Sequence, residues 1–141
     1  MKFVSFFLVV LLAAHLTFGQ TIVIAEKPLP ANDRAAKELQ KYVAQMTGQT
    51  LAIQNDASPL PAGHAILIGP SRHLDALGVK LDKEKLGDDG FILKSVGPHL
   101  VIAGPGPRGS MYGTYELLER QGVRWFTPKV TIVPKIPTLE L

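Results

Sequence analysis

Residues Gly104 to Gly109 spell G-x-G-x-x-G, the spacing with which glycine-rich turns hold the pyrophosphate of a dinucleotide. The motif lies between a predicted strand and a predicted helix, which is the context that this function needs. Pro105 and Pro107, however, have no N–H to donate to a phosphate. Positions 126–128 also lack the acidic residue that would bind the ribose about 20 residues further on. We therefore expect a structural turn, whose glycines allow tight helix–strand packing, and no nucleotide cofactor.

The other residue types that could do chemistry are scattered along the sequence. No two histidines are spaced i, i+4 and no H-E-x-x-H motif occurs, so no metal site is predicted. Ser71 and Ser110 lack a G-x-S-x-G context and are interpreted as helix caps or helix-start residues. Glu116 and Glu119 project from one predicted helix surface, whereas the carboxylates of a glycosidase converge in a cleft. The sequence thus predicts no catalytic residue.

Three residues stand out as candidate contacts, namely Arg108, Arg124 and Trp125. Arg108 lies at a predicted helix start, where a cation is unfavourable without a partner, so it either forms an ion pair, contacts a ligand or is solvated. Trp125, beside Arg124, could stack on a sugar ring. It could equally lie in the core or contact another domain, and contact with another domain is the interpretation that we favour.

The N-terminus has the layout of a secretory signal peptide over residues 1–19. Lys2 is followed by an apolar run to Leu12, and Thr17 and Gly19 are small residues at −3 and −1 of a cut before Gln20. The alternative is an uncleaved N-terminal anchor, although the run is short for a bilayer, which takes about 20 residues. The expected location is therefore secreted or periplasmic, with no membrane association after cleavage.

The remaining residues are enough for one domain with one modest core. The sequence has 141 residues and no cysteine, so disulfides and cysteine-ligated metals are impossible. The net charge is +3 at pH 7 and its acids and bases are interspersed, which argues against a nucleic-acid partner. We place the domain at residues 20–136 and interpret residues 137–141 as the start of a linker or of a truncated C-terminal region.

Hydrophobic periodicity predicts two long helices. The first is expected to begin at Asn32 as N-cap, since Pro28 and Pro30 precede it, and to end at Gly48. The second has Pro107 in its first turn and ends at Gly122, with Met111, Thr114, Tyr115 and Leu118 on its inner face and Leu117 on the flank of that face. Ser71 is expected to cap a short helical turn, and the charged segment from Val79 to Asp89 is expected to be irregular.

Short apolar or alternating runs predict the strands. Val96-Gly97-Pro98 is expected to be the turn of a tight hairpin. The order of elements predicts an α+β fold, with a mixed β-sheet of five or six strands and two main helices packed on one of its faces. The predicted strands are Thr21 to Ala25, Thr50 to Gln54, His64 to Gly69, Gly90 to Ser95, His99 to Ala103, Val123 to Phe126 and Thr131 to Val133.

The mature chain resembles the N-terminal, non-catalytic domain of family 67 α-glucuronidases and, similarly, the accessory domain of family 20 hexosaminidases. The most specific features are the spacings of Gly90-Phe91, the glycine-rich turn, Tyr112-Gly113-Thr114-Tyr115 and Val123-Arg124-Trp125-Phe126. The segments that carry the resemblance are TIVIAEKPLPANDRAAKELQKYVAQMTG, AILIGPS, LGDDGFILKSVGPHLVIAGPGPRGSMYGTYELLERQGVRWFTP and VTIVPK.

The resemblance implies a function in which this domain is not itself catalytic. In such proteins the catalytic acid and base lie in a (β/α)8 barrel that follows this domain, so no catalytic residue is carried over to this sequence. The barrel, in cis or in trans, is the expected partner, and polysaccharide is a further candidate ligand. The implied role is that of an accessory domain in the breakdown of xylan-type polysaccharide. The alternative is a free-standing carbohydrate-binding or protein-interaction module that uses Trp125 and its adjoining turn.

Overall fold

A five-stranded sheet forms the centre of the molecule in the computed structural model, which describes residues 20–139. The predicted signal peptide lies outside the described residues. No helix within residues 20–139 is both long and apolar enough to cross a membrane. The elements follow the order β1 (Thr21–Ile24), α1 (Pro30–Thr47), β2 (Ala52–Asn55), β3 (Ala65–Ile68), α2 (Arg72–Ala76), α3 (Lys83–Leu86), β4 (Ile92–Val96), β5 (His99–Ala103), α4 (Gly109–Arg120), β6 (Arg124–Thr127) and β7 (Val130–Ile132).

The strand order of the sheet is β2-β1-β3-β5-β4. Strands β1, β2, β3 and β5 are parallel, and β4 pairs antiparallel with β5 through the predicted hairpin, in which Val96 is opposite His99. The inner strands β3 and β5 are buried along their whole length. Continuous apolar runs are expected there, because helices and loops cover both faces of a parallel sheet.

Helices α1 and α4 pack against each other and against the same face of the sheet. Leu39 and Met46 of α1 and Leu118 of α4 are buried in the core with Ile22, Ile66 and Ile102 of the strands. On the opposite face, Leu74 of α2 packs with Val79, Val101 and Ala103 in a smaller cluster. The predicted α+β fold, with a mixed sheet and two main helices on one face, is therefore confirmed.

Strands β6 and β7 form a separate antiparallel hairpin outside the main sheet. Both were expected as strands, and the structure shows that they pair with each other. The segment after the hairpin runs back along α1, where the N–H of Ile136 donates to the carbonyl of Met46 over 3.0 Å. Leu139 is buried against the core, so this segment holds the hairpin close to the two long helices.

Three local expectations were wrong. Helix α1 begins at Pro30, not after Asn32, because proline is harmless at the first helical position, where its missing N–H has no partner. The segment predicted as irregular contains the one-turn helix α3, capped by the Asp82 carboxylate. Helix α4 begins at Gly109, after Pro107; it buries Thr114 and Leu118 as predicted, but it also buries Leu117, whereas Met111 and Tyr115 are only partly buried.

Candidate functional site

An open groove of about 630 Å³ lies between the β6–β7 hairpin and helices α1 and α4. Helix α1 contributes Arg34 and Tyr42 to its wall, and helix α4 contributes Tyr115 and Glu119. The two residues of each pair lie on the same face of their helix, because they are eight positions apart in α1 and four positions apart in α4. The hairpin closes the third side with Trp125 and the residues after it. We call this feature the Trp125 groove.

Trp125 is partly buried, and contacts from both helices fix its indole ring. The indole N–H donates to the Tyr42 hydroxyl over 2.8 Å. The rings of Tyr42 and Tyr115 contact it edge to face, with centroids 5.4 Å and 5.1 Å from its own. Such aromatic pairs add about 1 kcal/mol each beyond their buried area. Trp125 is thus a fixed wall of the groove that keeps part of its surface open.

The groove carries charge of both signs. Arg34 and Glu119 are exposed side chains on its rim, and neither has an ion-pair partner among residues 20–139. Partial burial raises the pKa of the Tyr115 hydroxyl, and the negative charge of nearby Glu38 raises it further. Tyr115 therefore remains a neutral hydroxyl at physiological pH and can donate or accept a hydrogen bond.

Arg108 forms an ion pair with Asp89 at the start of α4. The hydrogen bond from Arg108 lowers the pKa of the Asp89 carboxyl, and the same contact raises the pKa of the guanidinium. Both side chains are more than half exposed, so the pair contributes little to stability. Of the three interpretations of this arginine, the structure shows the ion pair.

Arg124 caps the opposite end of the same helix. Its guanidinium donates to the backbone carbonyls of Glu119, over 2.6 Å, and Val123, over 2.8 Å. The first of these carbonyls belongs to the last turn of α4, where carbonyl groups lack helical partners. Arg124 thus lies next to Trp125 but is used to end the helix. Arg108 lies a helix length away, about 18 Å for twelve residues, so the three candidates do not form one site.

The glycine-rich turn owes its glycines to close backbone packing. A Cβ atom on Gly104 would lie 2.4 Å from the carbonyl oxygen of Gly90, and one on Gly109 would lie 2.1 Å from the same oxygen. A Cβ on Gly106 would lie 2.4 Å from the Cα of Asp88. The segment before β4 therefore passes directly over the turn. This geometry supports the expected structural turn.

His64, His73 and His99, the three histidines within residues 20–139, lie at strand ends or on the surface, and each bonds to the backbone. Nδ1 of His99 accepts the N–H of Ala65 over 3.3 Å, which connects β5 to β3. The rings of His64 and His73 bond to the carbonyl oxygens of Pro98 and Ser58. Burial lowers the pKa of His99, and the charges of the other two histidines lower it further. Within residues 20–139, no group of three His, Asp or Glu side chains is placed to hold a metal ion.

Asp56 is a buried carboxylate that the sequence analysis missed. It accepts the backbone N–H groups of Glu26, over 2.8 Å, and Arg72, over 2.7 Å, and its pKa is lowered. Burial alone would raise this pKa, but the hydrogen bonds and the Arg72 charge outweigh it. The only sequence signal was its position directly after a strand. Asp56 joins the carboxyl ends of three parallel strands and so has a structural role.

Comparison with known proteins gives two matches. The sequence model of the family described as Glycosyl hydrolase family 67 N-terminus matches residues 11–117. The matched segment ends inside α4, so it does not include the β6–β7 hairpin. α-Glucuronidase A of Emericella nidulans is 33% identical over 89 residues, which are 62% of this chain. The aligned part is 10% of that relative, so the chain spans about a tenth of its length.

Proposed function

The chain belongs to the family of glycosyl hydrolase family 67 N-terminal domains, and from this premise we propose that it is the non-catalytic domain of a secreted α-glucuronidase-like enzyme. Its expected role is to support a catalytic (β/α)8 barrel that acts on xylan-type polysaccharide, with the barrel joined in cis or supplied in trans. The catalytic acid and base belong to the barrel in this proposal. Family membership is the observation that carries it.

The outer face of the β6–β7 hairpin is the surface that we assign to the barrel. Phe126, Val130 and Ile132 are large apolar side chains that are 64%, 49% and 54% exposed. Residues alternate between the faces of a strand, and Ile132 pairs with Arg124 while Trp125 pairs with Thr131. Val130 and Ile132 flank Thr131, the partner of Trp125, so both lie on the face opposite Trp125. Phe126 lies at the irregularity in β6 between Trp125 and Thr127 and is the most exposed of the three. Clustered apolar exposure of this kind marks surfaces that bind another protein.

The hairpin has one face that packs on the helices and one face that is exposed to solvent. Its inner face carries Trp125, which packs on Tyr42 and Tyr115 of the helices. Its outer face has no such neighbour among the described residues, as the exposure of Val130 and Ile132 shows. The apolar patch that an interdomain role predicts near Trp125 and the C-terminal strand is present. An interdomain role also requires that Trp125 keep some exposed surface, and Trp125 is only partly buried.

Activity assays on the purified chain test the non-catalytic assignment. We expect no turnover of aryl α-glucuronosides or of glucuronoxylan fragments by the chain alone. Turnover that a single substitution within residues 20–139 abolishes would contradict the proposal, because it would place the catalytic groups in this domain.

A binding experiment tests the assigned surface. The chain is mixed with the catalytic region of a family 67 enzyme, for example α-glucuronidase A of Emericella nidulans without its aligned segment, and association is measured by calorimetry. We expect the double variant Phe126→Ser, Ile132→Ser to bind at least about tenfold more weakly, as is typical of central apolar contacts. Leu29→Ser is the matched control, since Leu29 is 44% exposed but far from the hairpin in the chain. Equal weakening by both variants would refute the assigned surface.

A further inference from the structure

We propose that the Trp125 groove is a binding site for a neutral sugar chain. This site belongs to the domain itself and does not depend on the barrel, because the groove lies on the inner side of the hairpin and the assigned docking face lies on the outer side. Both surfaces can then be occupied at once. The domain would hold polysaccharide while the outer hairpin face contacts the catalytic partner.

Aromatic side chains give the groove the apolar surface that a sugar ring packs against. Tyr42, Tyr115 and Trp125 come from three different elements and contact one another edge to face. The bond between the indole N–H and the Tyr42 hydroxyl fixes the relative positions of two of the rings. Because these side chains are already ordered, little rotamer entropy is lost when a ligand binds. The wall is therefore preorganised.

The polar groups of the groove match a ligand that is rich in hydroxyl groups. Arg34 is a donor with no acceptor capacity, and Glu119 when ionised is an acceptor with no donor. Neither has an ion-pair partner in the described part of the chain. A sugar hydroxyl can accept from the guanidinium and donate to the carboxylate, in the stronger charge-assisted class of hydrogen bond. The Thr127 and Thr131 side chains also line the groove and supply further hydroxyls.

The charge balance favours a neutral ligand over an acidic one. The groove lining holds one cation, Arg34, and one anion, Glu119. A carboxylate-bearing sugar would gain an ion pair with Arg34 but would meet the repulsion of Glu119 and of Glu38, which lies close enough to raise the pKa of Tyr115. Lys41 offsets part of the Glu38 charge, since the two side chains are 3.8 Å apart. A neutral sugar meets neither cost.

The shape of the groove fits a chain rather than a buried small molecule. Its volume of about 630 Å³ lies within the usual range of ligand sites, about 300–1,000 Å³. It is open to solvent along the hairpin. A protein segment would find a better surface on the outer hairpin face, where the exposed side chains are apolar. The charged and hydroxylated rim of the groove suits polysaccharide.

Tryptophan fluorescence provides a direct test, because Trp125 is the only tryptophan of the sequence. The full chain is titrated with xylopentaose, with cellopentaose and, as the acidic comparison, with glucuronic acid. We expect a saturable change in Trp125 emission with at least one of the two neutral pentasaccharides and none with the acid. Trp125→Phe, followed by calorimetry, should remove most of the binding heat.

Variants at the groove rim decide whether the polar groups act as proposed. Arg34→Met and Glu119→Gln should each weaken binding about tenfold, the usual effect of losing one charge-assisted hydrogen bond. Arg120→Met is the matched control and should bind like the wild type, because Arg120 lies on α4 outside the groove and pairs with Glu116. Unchanged melting temperatures show that each variant is folded.

Three outcomes would overturn the proposal. They are no saturable response to either neutral pentasaccharide, equal affinity of the wild type and Arg34→Met, or a response to glucuronic acid alone. None of these touches the proposed accessory function, whose tests measure glycosidase activity and association with the catalytic region. Phe126→Ser separates the two surfaces, since it should weaken association with the barrel and leave the fluorescence titration unchanged.

Discussion

At the scale of single residues, the surroundings decide the role more than the residue type does. Arg108 and Arg124 are both exposed cations near the ends of α4. Arg108 meets a carboxylate, whereas Arg124 meets the carbonyl groups of the last helical turn. Arg34 has neither kind of partner among the described residues. It is therefore the arginine that remains free to bind a ligand, although the sequence singled out the other two.

His99 should make stability fall as the pH is lowered from 7 towards 5. Burial lowers its pKa in the folded state, whereas the unfolded chain has the ordinary value of about 6.5. Well above pH 6.5, His99 is neutral in both the folded and the unfolded state, so it does not reduce the free energy of unfolding. Below 6.5 the unfolded state binds the proton first, so the free energy of unfolding falls, by at most about 1.4 kcal/mol per pH unit, until the folded pKa is passed.

Chemical denaturation at several pH values measures this effect. The variant His99→Asn retains an acceptor near the Ala65 N–H, which the His99 ring now bonds over 3.3 Å, but has no proton to bind. We expect its stability to depend less on pH between 6.5 and 5 than that of the wild type. Identical slopes for the two proteins would show that His99 does not carry the effect.

At the scale of elements, the glycine-rich turn sets how α4 approaches the sheet. Gly104 and Gly109 lie so close to the Gly90 carbonyl that no side chain fits at either position. This packing brings the start of α4 against the segment before β4, and the buried Ser110 hydroxyl accepts the Gly104 N–H over 3.1 Å. The G-x-G-x-x-G spacing here reflects backbone contact.

Gly109→Ala should therefore destabilise the fold strongly. The added Cβ would lie 2.1 Å from a backbone oxygen, so the helix or the neighbouring segment must shift. We expect a loss of about 2 kcal/mol or more, typical of overpacking a tight site. Thermal or urea unfolding measures it.

Arg108→Ala is the control from the same turn. It removes only an exposed ion pair, so it should destabilise the fold far less than Gly109→Ala does. A Gly109→Ala protein as stable as Arg108→Ala would mean that the turn can relax and that the backbone contact does not constrain it.

At the scale of the whole molecule, the domain consists of a sheet with two helices and a small hairpin attached to their side. The central strands β1, β3 and β5 hold several of the largest fully buried side chains, such as Ile22, Ile66 and Ile102. The hairpin instead rests on Trp125 and leaves Phe126, Val130 and Ile132 exposed. Its attachment is thus weaker than the internal packing of the sheet.

Hydrogen exchange should resolve this difference. Amides of β3 and β5 should exchange most slowly, near the rate of global unfolding, and those of β6 and β7 should exchange first through local opening. Trp125→Ala should speed exchange in the hairpin further while leaving the central strands unchanged. Uniform protection across both sheets would instead show that the hairpin opens only with the whole fold.

The sequence alone determined the local elements and the kind of domain. Apolar runs, helical periodicity and glycine terminators such as Gly48 and Gly122 act over a few residues, so they can be interpreted without a structure. The family pattern is a property of the sequence in the same way. The start of α1 was predicted too late, after Asn32 instead of at Pro30, and the reason is also local: proline is tolerated at the first helical position.

Only the tertiary structure decided the sites. The Trp125 groove unites side chains from α1, α4 and the hairpin, and the bond between Trp125 and Tyr42 spans 83 positions of the chain. Asp56 gains its role from strands that are neighbours only in the sheet. No local pattern encodes such contacts, because they depend on strand order, on helix packing and on which face the hairpin turns inward. The sequence therefore identified Trp125 as a candidate, and the fold supplied its partners, Arg34, Tyr42 and Glu119.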